Sequence, residues 1–384
     1  MNPRILLPVA LLAAVAVAVY FFLSPNLPPG NGDAADSQKA AAEMHAAQGT
    51  GTNATGEDSA TATDSRADAR WKRINALANA GEGGDLFPKI SPEDIARFLA
   101  KHGETPANLV AAFEKTQDRA LLDRALELFP HSPLVLMVAL TSIPASAAPK
   151  PGETYQPDAQ RTAFIERFKA ADPNNPLPWI YSAQELFKAK QTGEAIAEVR
   201  AALERPAFYT YASERMAGAQ QLYEDLGMSP VEAGMITMAG LALPHMTVAQ
   251  QASRSLMEWQ KSASDSGDAA SADDALRLTY DLGRTFATPE ASRTLIGQLV
   301  GISMEYRALK TLPADAQPGW LSVPPAQRMA EMEALKESVS ALVKDAGLEW
   351  LIESQNENLL AEYLRRNRDD GEFSALTWLK AQRK

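Results

Sequence analysis

The chain has 384 residues, with 37 Lys or Arg against 48 Asp or Glu, so its formal net charge is -11. A chain of this length can bury more than one hydrophobic core, and its acidic balance argues against binding to a nucleic-acid phosphate backbone. It contains no cysteine, which excludes disulfides, thiolate metal sites and cysteine nucleophiles.

An uncharged apolar run occupies residues 5–23, ILLPVALLAAVAVAVYFFL. At about 1.5 Å per residue it is roughly 28 Å long, close to the ~30 Å hydrocarbon core, and it predicts a transmembrane anchor over residues 1–24. Arg4 precedes the run and a net acidic tract follows it, so the positive-inside rule predicts a cytoplasmic N-terminus and a periplasmic or otherwise extracytoplasmic bulk. Cleavage after Ala16-Val17-Ala18 as a signal peptide is the alternative, although the aromatic residues that follow suit an interfacial anchor.

Residues 25–70 are rich in Pro, Gly, Ala, Thr and Ser and hold few large apolar side chains. Such a segment buries too little apolar surface to offset its ordering entropy, which predicts a disordered linker. The remaining sequence predicts helical hairpins over 71–206 and a further helical domain over 207–384. No stretch has the alternating pattern of a strand, so the predicted fold class is all-α.

Helix starts and helical hairpins recur along this region. Ser91-Pro92-Glu93-Asp94 combines a capping residue, a first-turn proline and acids at the positive end of the helix dipole. Helical periods at 106–115 and 119–129 predict one hairpin. Periods at 177–188 and 194–204 predict another, with the small residues Ala183, Ala195 and Ala202 where its helices cross.

This second hairpin, within residues 172–206, resembles a tetratricopeptide repeat, and 106–133 resembles it more weakly. With Trp179 at the repeat's fourth position, the expected second-helix positions fall on Ala195, Val199, Ala202 and Leu203. The closing Pro206 comes one place early. The resemblance implies an array of hairpins with a concave partner-binding groove, whose lining positions are Leu177, Ile180, Gln184, Phe187 and Lys188. Their apolar neighbours favour an apolar or helical ligand.

The second half of the chain continues in helical periods. A helix is predicted from Pro289 to about Leu312, where Gly297 and Gly301 indicate a close helix contact. The acidic, Gly/Ser-rich residues 262–274 are predicted to separate two helices. Six methionines between 216 and 257 favour core filling, with an adaptable binding surface as the alternative.

Residue patterns of known catalytic and metal sites are missing. There is no GxxxxGK[ST] loop, GxSxG elbow or HExxH pair. The four histidines, His45, His102, His131 and His245, are not spaced as zinc ligands on one helix, and cap or surface positions are expected for them. The acidic runs 265–268 and 369–372 read as turns, because neither has the calcium-loop spacing. We therefore predict no catalytic residue, cofactor or metal site.

These features together predict a membrane-anchored helical-repeat scaffold that binds a partner protein or peptide outside the cytoplasm. One alternative is a membrane-tethered foldase or holdase for secreted proteins, because the layout is similar to that of the bacterial lipase-specific foldases, although their Arg-x-x-Phe-Asp-Tyr signature is absent. Another is an enzyme with an unrecognised site on an α/α scaffold. Partner identity and oligomeric state are open at this stage.

Overall fold

The computed structural model describes residues 71–72, 74, 88–143, 155–206, 208–287 and 293–383. The predicted anchor and linker, and the predicted helix start at 288–290, lie outside the described residues. Every regular element in the described part is an α-helix, which confirms the all-α prediction. No helix in this part is both long and apolar enough to cross a bilayer. In chain order the helices are α1 Pro92–His102, α2 Pro106–Thr116, α3 Arg119–Leu128, α4 Pro133–Ser142, α5 Ala159–Ala171, α6 Leu177–Lys188, α7 Thr192–Leu203, α8 Ala212–Asp225, α9 Pro230–Ala239, α10 Pro244–Asp265, α11 Ala269–Ala287, α12 Leu295–Leu309, α13 Pro325–Ala346, α14 Leu348–Glu353, α15 Glu357–Asp370 and α16 Glu372–Gln382.

Local capping chemistry fixes several helix starts. Ser91 accepts a hydrogen bond from the backbone N–H of Asp94, whose carboxylate accepts in return from the backbone N–H of Ser91 at 3.0 Å. Ser229 and Glu232 form the same reciprocal pair at the start of α9. Each pair satisfies N–H groups that the first helical turn leaves without partners.

The helices from α3 to α7 pack mainly on their neighbours in sequence, as expected for consecutive hairpins, whereas α2 packs most extensively on α8. In the hairpin of α6 and α7, Ala183 and Ala195 are 0% exposed and Ala202 is 1% exposed. Small side chains let the two helix backbones approach, and the buried Val199 fills the space beside them.

Helix α10 is the element that departs most from a simple array, because it packs against α6, α11 and α12 together. Its inward face carries Met246, Ala249, Ala252 and Leu256, all of which belong to the same buried cluster as Trp179 of α6. Tyr211 packs in turn with the α2–α5 core. Helices on both sides of residue 206 therefore share hydrophobic cores.

Two predicted boundaries differ from the observed ones. Residues 262–274 were predicted to separate two helices, but the observed break is only the short turn between α10 and α11, where Gly267 has a φ of 79°. The Ser, Ala and Asp residues around it lie within the two helices. Likewise the helix predicted from Pro289 to about Leu312 is not continuous: α12 begins at Leu295, because Arg293 has a φ of 51° and the Thr294 side chain caps the backbone N–H of Gly297.

The predicted close contact of α12 is confirmed at Gly301. A Cβ atom at this position would lie 2.5 Å from the Gly283 carbonyl oxygen and 2.5 Å from the Ala287 nitrogen, both on α11. Only a residue without a side chain permits this crossing.

The last helices form another core with an earlier segment of the chain. Trp71 and Ile74 are buried in the same cluster as Leu360, Tyr363 and Leu379. The beginning of the described chain thus packs against its end.

Candidate functional site

The structure places the predicted groove residues on surfaces that the chain itself covers. Leu177 is 0% exposed, Ile180 1% and Gln184 6%. Ile180 belongs to the core that α10 completes, and the half-buried Phe187 packs against the same core. Lys188 donates to Glu185 at 3.0 Å. The predicted groove is therefore closed at Leu177, Ile180 and Gln184, which pack inside the chain, whereas Phe187 and Lys188 remain half-exposed.

A buried charge network lies just behind Lys188. Glu185 accepts hydrogen bonds from the Tyr155 hydroxyl and from Arg161 Nε at 2.9 Å, and Arg161 also donates to the Leu140 carbonyl at 2.8 Å. Although burial acts to raise the pKa of Glu185, these partners hold it below the usual value. The network is satisfied within the chain and ties α4, α5 and α6 together.

An open concave surface lies elsewhere, where α8 meets the first turn of α2 and helix α15. Gly218 makes this approach possible, because a Cβ atom there would lie 2.6 Å from the Ala107 carbonyl oxygen. We use the name Ala107 cleft for this hollow together with a neighbouring one that shares Ala107 in its lining; this first part has a volume of about 380 Å³. This part is lined by Ala107, Asn108, Ala217, Gly218, Gln220, Gln221, Glu224, Arg368 and Asp369.

Polar side chains in the first part of the cleft are held in place by one another. Arg368 donates to Gln220 Oε1 at 2.9 Å and to Asp369 at 2.7 Å, and Gln220 donates to Glu224 at 2.9 Å. Gln221 is half-buried and makes no hydrogen bond to another described residue. Its amide can both donate and accept, which is the pairing that a peptide backbone requires.

The second part of the Ala107 cleft lies between the starts of α2 and α4 and has a volume of about 340 Å³. It is lined by Thr105, Pro106, Ala107, Ser132, Pro133, Leu134, Tyr211 and Glu214. The prolines offer no N–H group, so the floor of this part is mainly apolar.

Glu214 brings an unpaired acceptor to this second part. Its Oε1 accepts from the Tyr209 hydroxyl at 2.7 Å, whereas its Oε2 is buried and has no hydrogen-bond partner among the residues that the structure describes. Burial, and then the contact with Glu214, raise the pKa of Tyr209 to about 12, so the hydroxyl keeps its proton and remains the donor. A buried carboxylate oxygen without a donor is costly.

The structure also bears on the positions predicted for the histidines. His245 is 2% exposed, so the expectation of a cap or surface position is wrong for this histidine. Burial, and then the charge of Arg215, lower its pKa to about 3. His102 lies at the end of α1 and contacts Asp225 at 2.8 Å. Within the described residues no three His, Asp or Glu side chains are grouped as a metal site would require.

The methionines of the 216–257 region fill cores. Met216 and Met246 are 6% exposed. Met228, Met235, Met238 and Met257 each pack against a buried cluster. The structure therefore confirms the interpretation that these methionines fill cores, in preference to the alternative that they form an adaptable binding surface.

No protein-family model matches this chain, and comparisons with curated proteins and with solved structures give no match. The Ala107 cleft is thus defined by its own geometry. Glu214 and Gln221 carry no motif, and the sequence held no signal that distinguishes them from other polar helix residues.

Proposed function

We propose that this protein is a membrane-anchored helical scaffold that binds a peptide segment of a partner protein outside the cytoplasm. Residues 5–23 would supply the anchor, and residues 25–70 would let the helical region stand away from the bilayer. The hairpins from α2 to α7 would serve as a tetratricopeptide-like frame.

The observation that carries this proposal is the Ala107 cleft, which Glu214 borders with a carboxylate whose Oε2 has no hydrogen-bond partner among the described residues. A backbone N–H of an extended peptide would donate to this carboxylate once its side chain rotates toward the cleft, and the amide of Gln221 would pair with the peptide further along. Each part of the cleft holds a few residues rather than a folded domain, which favours a peptide segment as the occupant.

Site-specific photocrosslinking in intact membranes tests the proposal. A photoreactive residue at Gln221 should form one discrete adduct with a partner protein, and the same residue at Gln327, an exposed position of α13, should not. Ala217→Trp should fill the cleft and abolish the adduct, while Ala330→Trp, exposed on α13, should leave it intact.

The pattern of adducts decides between the candidate functions. A broad ladder of unfolded secretory chains at Gln221 would favour the foldase or holdase alternative. Equal adducts at Gln221 and Gln327, or none at Gln221, would contradict a partner site in this cleft. A reporter fused after Lys384 that is active only in the cytoplasm would contradict the proposed location.

A further inference from the structure

Two arginines lie where α10 crosses α12, since Arg307 contacts Ser253, the residue before Arg254, and neither has an acidic partner among the described residues. Arg307 Nη1 donates to Ser253 Oγ at 2.8 Å. Burial, and then the charge of Arg254, lower the pKa of Arg307. Arg254 is exposed and pairs with no described residue.

The other arginines of the described residues are all partnered. Each donates to a carboxylate or a backbone carbonyl, or lies over an aromatic ring. Carboxylates are not scarce either, because the chain has 48 Asp and Glu residues. Among the described arginines, Arg254 and Arg307 are therefore the two that have neither a carboxylate, nor a backbone carbonyl, nor an aromatic ring as a partner.

Such an arrangement is unfavourable unless something else binds there. A guanidinium does not give up its proton, so the half-buried Arg307 stays charged while it loses water and gains one neutral hydroxyl. A second cation beside it adds repulsion. An oxyanion relieves both costs, because its oxygens accept two N–H groups of a guanidinium side by side.

We propose that Arg254, Arg307 and Ser253 form a binding site for an oxyanion group, a carboxylate or a phosphate carried by a ligand. Arg307 would supply the partly desolvated donor, Ser253 would hold its orientation, and the exposed Arg254 would close over the bound group. The site uses α10 and α12, whereas the Ala107 cleft uses α2, α4, α8 and α15, so neither proposal depends on the other.

Isothermal titration calorimetry on the full chain in neutral detergent tests this site, with inorganic phosphate and triglutamate as separate probes. Low ionic strength is needed because salt screens the interaction. We expect saturable binding of at least one probe, and at least a tenfold weaker affinity for the double variant Arg254→Gln/Arg307→Gln. Saturation by phosphate alone indicates a phosphate ligand, and saturation by triglutamate indicates a carboxylate.

The matched control is Arg97→Gln/Arg119→Gln, which removes the same charge from two exposed arginines that have acidic partners. This control should bind as tightly as the wild type. Arg307→Lys should bind with an intermediate affinity, because it retains the charge and loses the planar fork. If Arg307→Gln does not fold, Arg254→Gln alone carries the test, since Arg254 is exposed. No saturable binding of either probe, or an equal loss in the control, overturns the proposal.

Discussion

Gln184 on α6 donates its side-chain N–H to Gln251 Oε1 on α10 at 3.0 Å. Gln184 is one of the residues that the repeat pattern assigns to a ligand groove. The hydrogen bond and the apolar contacts beside it show that a helix of the same chain takes this place. The apolar face of α10 thus occupies the place where an apolar or helical ligand was expected.

Ile180→Ala tests whether α10 is a fixed part of the core. Ile180 is 1% exposed, and truncating such a side chain should lower the free energy of unfolding by roughly 2–5 kcal/mol. Leu128→Ala is the control, because Leu128 is 37% exposed and should change stability by no more than about 0.5 kcal/mol. Urea unfolding followed by circular dichroism measures both. A cost below about 1 kcal/mol for Ile180→Ala would instead indicate that α10 separates readily from α6.

Ala195→Leu tests the crossing of α6 and α7. Ala195 is 0% exposed, so a larger side chain must push the helices apart and should cost about 1–3 kcal/mol. Ala197→Leu on the same helix is exposed and should be nearly neutral. Equal stabilities of the two variants in chemical denaturation would contradict the packing of this hairpin.

Gly301→Ala tests the contact of α11 with α12. The added Cβ would meet backbone atoms at 2.5 Å, which no side-chain rotation relieves, so we expect a loss of at least about 1–3 kcal/mol. Gly193→Ala, in α7, meets nothing within 4 Å and should stabilise the protein by about 0.4–1 kcal/mol. Opposite shifts in the midpoint of thermal unfolding are therefore expected, and shifts of the same sign would refute the close crossing.

His245 should make the protein less stable in mild acid. Its pKa is about 3 in the folded state and 6.5 for the free side chain, so the unfolded chain binds more protons between these values and stability falls as the pH drops below 6.5. Between pH 7 and pH 5.5 the histidine should account for about 1 kcal/mol of lost stability.

His245→Phe should remove this contribution, since phenylalanine does not titrate. His131→Gln, at an exposed position, should keep the wild-type pH dependence. The comparison uses the difference between variants at each pH, so the carboxylates that titrate in the same range cancel. Parallel pH profiles for wild type and His245→Phe would show that His245 is not held neutral in the folded state.

Much of the helical layout follows from the sequence because its causes are local. The capping pairs at Ser91 and Ser229 act within one helical turn, and the apolar period of α6 repeats every three or four residues. The small size of Ala195 likewise marks a crossing before its partner helix is known. Such signals predict where helices form and which of their faces are buried.

What covers each face was decided only by the tertiary structure. The burial of Gln184 depends on Gln251, 67 positions later in the chain, and the burial of His245 depends on the helices around it. Glu214 and the pair Arg254 and Arg307 read in the sequence as ordinary polar helix residues. They become candidate binding groups only through folding. It leaves an oxygen of Glu214 without a donor, and it leaves Arg254 and Arg307 without an acidic partner among the described residues. Contacts between distant residues arise from the competition of whole helix surfaces for burial, which no local pattern encodes.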